Sequence, residues 1–224
     1  MLKSISTKIK RHLGKLLKSR QEKRHSLVGA GNLWKMKQNF QIHFLKEQGL
    51  KTSDFILDVG CGTLRGGIPI IDFLDTDHYY GVEVRKHVLD EGKKELKILK
   101  LEHKKPNLIS FTNFSEIQIE VQFHVVFAFS VLIHFEDGIT ENCFEFIGQH
   151  LKRGGVFYAN VNIGNIPDGN WQGFPVVFRS INFYEALANK NGMRLQQLGD
   201  LKSLGHISGK DGSDKQIMLK MVKD

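Results

Sequence analysis

Phe55-Ile56-Leu57-Asp58-Val59-Gly60-Cys61-Gly62-Thr63-Leu64-Arg65-Gly66-Gly67 is the stretch on which the fold turns. Apolar and β-branched residues frame Asp58, glycines follow at two-residue spacing, and a helical pattern begins. That order reads as a buried strand, a tight turn and a helix N-terminus. Without a Cβ, Gly60 and Gly62 let the backbone come close to a bound molecule. A dinucleotide fingerprint wants a third glycine at position 65, but Arg65 stands there and Gly66 comes one residue late. Asp58 would also put a carboxylate beside the loop where a pyrophosphate should lie. It suits instead a cofactor that carries an ammonium and a sulfonium.

Working outward, Tyr79-Tyr80-Gly81-Val82-Glu83-Val84 reads as a second strand ending in an acid. Glu83 falls about twenty residues past the glycines, where a Rossmann-like unit places its ribose-binding carboxylate. At this point the sequence resembles the class I S-adenosylmethionine-dependent methyltransferases: Asp58-Val59-Gly60-Cys61-Gly62 matches their glycine motif and Glu83 their acid. The resemblance spans residues 33–222. It implies S-adenosyl-L-methionine as cofactor, held at Asp58, Gly60, Cys61, Gly62, Glu83 and Val84. It further implies that Asn113 reads the adenine amino edge, that Phe114 stacks on the ring, and that Ser130 to Phe135 lies beside the transferring methyl group.

Around this centre the chain alternates strands and helices. A helix over 33–48, capped by Asn32 and closed by Gly49, carries Leu33, Met36, Phe40 and Phe44 on one face, with Trp34 either a core residue or part of a cover for the cofactor. Pro69 sits in the first turn of the helix after the glycine loop. A charged helix at 86–100, a strand at 108–111 and the nearly continuous apolar run 123–130 follow, the last expected as a central parallel strand. A helix from Gly138 to His150, a Gly154-Gly155 turn and a strand at 156–161 come next. Residues 162–180 read as a long irregular loop rich in Gly, Pro and aromatic residues. A helix near 182–191, a strand at 194–198 and a last, antiparallel strand at 216–222 close the chain. The expectation is an α/β, doubly wound Rossmann-like fold with a mostly parallel seven-stranded sheet.

Charge divides the chain differently. Residues 1–25 hold nine of the 32 basic residues and one of the 24 acids, so the remainder has 23 of each and no net charge. Leu2, Ile5, Ile9, Leu13, Leu16 and Leu17 form a helical stripe with most of the lysines off it. Such a basic amphipathic helix suits an anionic membrane interface, each basic residue near the surface contributing about 1 kcal/mol; a protein partner and RNA are the other readings. Residues 1–31 are therefore expected as arm and linker, with Val28-Gly29-Ala30-Gly31 as the hinge, and 32–224 as the methyltransferase domain. A neutral body argues against a nucleic-acid surface across the fold. Cys61 and Cys143 share no metal-ligand spacing and form no disulfide framework, which points to a reducing, cytoplasmic setting, peripheral to the inner face of the membrane if the arm binds there. No cluster of histidines and acids suggests a metal.

Methyl transfer to a neutral hydroxyl needs a base within hydrogen-bond reach. His134 is the nearest candidate by position, with His206 and Glu136 behind it; a structural histidine is the alternative. No Asn/Asp-Pro-Pro-Tyr/Phe pattern follows the fourth strand, which counts against methylation of DNA base amino groups. A small-molecule or glycan acceptor, methylated at oxygen, fits the neutral body and the aromatic 171–178 region. Three alternatives stay open: an RNA or protein methyltransferase guided by the arm, a non-catalytic module of the same fold, and a nicotinamide oxidoreductase.

Overall fold

A computed structural model describes residues 21–224. The helix expected in the arm lies almost wholly outside them; the described chain starts with a helical stretch at 21–26 and a turn. Five longer helices follow: α1 (Trp34–Glu47), α2 (Gly67–Phe73), α3 (Lys86–Ile98), α4 (Asp137–His150) and α5 (Ile181–Lys190). The strands are β1 (Ile56–Val59), β2 (Tyr79–Glu83), β3 (Asn107–Ser110), β4 (Phe123–Ala128), β5 (Leu151–Val161), β6 (Gly169–Trp171), β7 (Phe174–Val176), β8 (Met193–Asp200) and β9 (Ile217–Lys223).

Seven of them form one sheet in the order β3-β2-β1-β4-β5-β9-β8. Only β9 runs against the rest, pairing antiparallel with both β5 and β8. The direction of winding reverses between β1 and β4, which pair in parallel, and a doubly wound sheet opens its binding crevice beyond the strand ends at such a point.

Period-two side-chain alternation builds the two cores. Leu57, Val59, Val126 and Ala128 face one way, into a cluster with Phe144 and Ile147 of α4 and Tyr184 of α5. Ile56, Val125 and Phe127 face the other way, against Phe44 and Leu45 of α1, Ile70 of α2 and Leu89 of α3. Each large apolar side chain fully buried there contributes about 1.5–3 kcal/mol. Asp58 alternates onto the second face, so it is buried under α2.

Three expectations change. Lys152-Arg153-Gly154-Gly155 is not a turn ahead of β5 but a bulge within it: Phe123 pairs with Leu151 and Val125 already with Val156, the excess being looped out with Gly154 at φ +74°. Residues 162–180 are not irregular throughout. β6 and β7 form a hairpin whose turn residues Gln172 and Gly173 both have positive φ, the geometry that matches strand twist in a two-residue turn. Arg179 ties it down, with Nη1 and Nη2 donating to Asp168 at 2.6 and 2.8 Å and Nε to Asp137 at 2.5 Å. Finally, the Val28-Gly29-Ala30-Gly31 stretch expected as a hinge is fastened to the body, the Val28 carbonyl accepting from Arg65 Nη1 at 2.8 Å, and the residues before it are fastened too. Arg24 pairs with the buried Glu95 of α3 at 3.0 Å, and His25 stacks on Trp34 with centroids 3.6 Å apart. Trp34 is thereby buried, between the arm and the body.

Candidate active site

The glycine loop is held to β2 by its own amides. Gly60 and Cys61 donate to the Val82 carbonyl at 2.8 and 3.1 Å, and Gly62 donates to the Glu83 carboxylate at 3.0 Å. Gly60 and Gly62 have φ of +68° and +58°. Space demands glycine as well: a Cβ on Gly60 would lie 2.6 Å from Val131, and one on Gly62 would lie 2.8 Å from Val28. Val28 therefore roofs the loop. The Cys61 thiol does not face this crevice; its Sγ packs beside Gly81 on β2, and burial pushes the thiol pKa well up.

Glu83 is buried, and its other oxygen accepts from the Arg85 backbone at 2.9 Å and from Arg85 Nε at 3.1 Å. Arg85 also reaches the Leu27 carbonyl at 3.4 Å and lies 5.4 Å from the centre of the Phe174 ring, so arm, acid and hairpin meet at one residue. Val84, beside it, is exposed and presents an apolar face.

Asp58 is buried and accepts from the Tyr79 hydroxyl at 2.6 Å. Desolvation raises its pKa to about 7; the Tyr79 bond opposes the rise, and the Glu83 charge adds to it. Arg65 is buried on the same side, its Nη1 donating to the Val28 carbonyl at 2.8 Å. Gly66, the late glycine, serves packing: a Cβ there would collide with Gln41 of α1.

At the end of β4, Ser130 adopts φ +60°, and its amide donates to Asn160 Oδ1 at 2.7 Å. Asn160 in turn donates to Gln216 at 2.6 Å, both buried. This network, invisible to sequence patterning, turns the chain sharply where the acceptor should lie. Four residues on, His134 Nδ1 is 2.6 Å from the Pro175 carbonyl, with its ring beside Trp171 and Phe174 at 6.2 and 5.8 Å. A carbonyl only accepts, so in the neutral ring Nδ1 carries the proton and Nε2 the lone pair. Burial lowers the His134 pKa, against the Pro175 bond.

The adenine expectation needs correction. Phe114 is buried against Phe111, Phe135 and Phe146 in the core beside α4, so its ring is not a face for stacking. Asn113 donates through its side chain to Glu116, 3.1 Å away, in a capping box. The two residues were read as a pair from adjacency, whereas the turn sends one side chain inward and ties up the other. His206 is fully buried, bonded through Nδ1 to Asp214 at 2.9 Å, and Glu136 precedes α4 as its N-cap. Among the described residues, no group of three or more His, Cys, Asp or Glu is arranged to hold a metal ion.

Comparison with known proteins agrees with this geometry. Residues 57–157 match the model of a methyltransferase domain. The fold is similar to magnesium protoporphyrin IX methyltransferase of Synechocystis PCC 6803 bound to S-adenosylhomocysteine, with TM-score 0.66 and 12% identity over 98% of this chain and 100% of that one. It is also similar to a Clostridium acetobutylicum S-adenosylmethionine-dependent methyltransferase (0.63, 16%, 85% and 92%) and to the glycopeptide N-methyltransferase MtfA complexed with S-adenosylmethionine (0.64, 14%, 84% and 94%). At such identities the structures speak for the fold. No curated protein matches in sequence. Residues 57–157 thus carry a methyltransferase domain, and the sheet order is that of the methyltransferase fold its structural relatives share.

The residues present fit that cofactor. Gly60 and Gly62 would present bare backbone to it, the buried Glu83 carboxylate would accept from its ribose, and Asp58, when ionised, would face its ammonium. S-Adenosylmethionine, when bound, supplies an electrophilic methyl group on a sulfonium.

Proposed function

We propose that this methyltransferase acts on a hydroxyl oxygen of a small-molecule or glycan acceptor, with His134 as general base. The observation that carries the reading is the Pro175 contact, which directs the unprotonated Nε2 away from the hairpin backbone. His134 takes the hydroxyl proton as the oxygen attacks, and desolvation keeps the imidazole neutral and able to do so at neutral pH. Trp171 and Phe174 offer exposed aromatic faces next to His134 for the carbon skeleton of such an acceptor. Ser130, set by Asn160, positions the end of β4 against it. Two structural relatives are named for a magnesium protoporphyrin and a glycopeptide, substrates of the same broad kind. The arm adds a membrane reading: residues 1–25 bring the catalytic body to anionic lipid surfaces.

The test is a methyl-transfer screen over extracted lipids, glycans and RNA, followed by single-turnover rates for His134→Ala on folded protein. A loss of about 10²–10⁴-fold with unchanged cofactor affinity is expected for a general base. The wild-type rate should rise with pH through a pKa below the ordinary histidine value. A loss under about threefold, with a flat pH profile, would leave His134 structural.

A further inference from the structure

Exposed apolar side chains are distributed unevenly over the described residues. Nine large ones are exposed there, and only Ile98 and Leu99, where α3 ends, lie at the edge of the sheet from which the parallel strands start. The other seven lie on segments at the opposite edge, where those strands end. Val84 follows β2, Ile139 opens α4 beyond β4, and Ile166, Trp171 and Phe174 follow β5. Ile166 is 57% exposed and Trp171 43%. Single apolar residues scattered over a surface need no explanation, but a concentration at one edge marks a surface that associates with something.

Contacts around the hairpin give this surface an order. Trp171 and Phe174 are partners across the β6–β7 ladder, so both side chains stand on one face of the hairpin and flank its turn. The Arg85 guanidinium lies 5.4 Å from the Phe174 ring centre, and its Nη1 reaches the Leu27 carbonyl. Arg179 bonds Asp168 and Asp137 together, which holds Ile166 and Ile139, each two residues from one of those acids, near the base of the hairpin.

The chain that enters at this edge indicates what covers it. Residues 1–20 hold seven Lys or Arg and no acid, together with an apolar stripe at helical spacing. Six helical residues, 21–26, or about 9 Å at 1.5 Å per residue, separate that segment from Leu27. An amphipathic helix lies about 5–10 Å deep in a lipid interface, and a hairpin of three-residue strands beside it reaches the same layer. Trp and Arg both suit that layer, the ring at headgroup depth and the cation against phosphate.

We propose that the edge where the strands end, with Trp171 and Phe174 at its tip, seats on an anionic lipid surface and turns the mouth beside His134 toward it. This seating rests on the arm's membrane reading: the arm's charge supplies the attraction, and the hairpin adds an apolar contact that orients the body.

Trp34 is buried, Trp171 is exposed, and the chain has no other tryptophan, so intrinsic fluorescence tests the seating directly. The full chain is mixed with equimolar phosphatidylcholine–phosphatidylglycerol vesicles whose acyl chains are brominated. Emission should shift to the blue and be quenched, and Trp171→Phe should remove both changes while the protein still sediments with the vesicles. Ile166→Asp should weaken vesicle binding at least about fivefold with S-adenosylhomocysteine affinity unchanged, since interfacial binding scales with buried apolar area. Ile98→Asp, which adds the same charge at the far edge, should weaken it by less than about twofold, because that charge stays in screened solvent. Sedimentation without quenching overturns the proposal and leaves the apolar edge to a protein partner. Absence of sedimentation overturns the arm's membrane reading and this seating together. Equal losses for the two aspartate variants overturn the seating alone. So does a red shift of Trp171 emission when residues 1–20 are removed without lipid present, which would make the arm itself the cover.

Discussion

Asp58 and Glu83 are both buried carboxylates beside the glycine loop, at the proposed cofactor site, but they are built differently. Glu83 is satisfied by two backbone amides and a guanidinium. Asp58 has the Tyr79 hydroxyl alone as its side-chain partner. The Asp58 pKa is raised, so its protonated form favours the folded state: that contribution is complete below the unfolded pKa of about 4 and is lost as pH rises through about 7. Thermal melts across that window should show stability falling, less steeply in Asp58→Asn. An ammonium prefers the ionised acid, so affinity for S-adenosylhomocysteine should rise over the same window in the wild type and be flatter in Asp58→Asn; a wild-type titration flat from pH 5.5 to 8 would contradict this. Glu83→Gln keeps the shape and removes the charge. Calorimetry should show S-adenosylhomocysteine affinity falling at least about tenfold, since hydrogen bonds to a charged group contribute about 1.5–3 kcal/mol each. The positions of Asp58 and Glu83 at the ends of β1 and β2 were readable because strand ends and spacing place them. The roles given to Asn113 and Phe114 were not, because neither spacing nor residue type says which way a side chain leaves a turn.

The β6–β7 hairpin is the element that sequence patterning missed. Its turn is Gln172-Gly173 rather than Asn-Gly, and its strands have three residues each, too short for alternation to register. It is kept in place by Arg179 bridging Asp168 and Asp137, a network whose bidentate geometry makes it worth more than an isolated surface pair. Arg179→Ala should free the hairpin, raising KM for the acceptor several-fold, on the order of one such network's energy, while leaving S-adenosylhomocysteine affinity unchanged. Equal loss of both would mean that the hairpin also supports the cofactor side, through Phe174 and Arg85.

Across the molecule, the charged arm and the neutral body are joined through contacts at the cofactor loop. Arg24, Leu27 and Val28 touch Glu95, Arg85 and Arg65 in turn. Removing residues 1–20 should abolish sedimentation with anionic liposomes and leave cofactor affinity intact. Liposome binding by the full chain should weaken with salt, since exposed charges are screened within about 10 Å at 0.1 M. Removing residues 1–31 should also lower S-adenosylhomocysteine affinity, because the roof over Gly62 is lost and Glu95 is left buried without its cation. Identical cofactor affinities for the two truncations would separate arm from site. Among the described residues, no helix is long and apolar enough to cross a membrane.

The sheet, its winding and the cofactor class were legible in the chain itself. Strand alternation, glycine spacing and an acid at a strand end are requirements of local backbone geometry, and local geometry is written in adjacent residues. Other features depend on which surfaces meet. Val28 over Gly62, Gln41 against Gly66, Asn160 behind Ser130 and Pro175 on His134 join residues 25 to 41 positions apart. Nothing in either partner's neighbourhood requires the other. Those contacts exist because burying the apolar faces of α1 and the sheet fixes distant segments against one another, and the resulting close packing decides which polar groups are left facing the crevice.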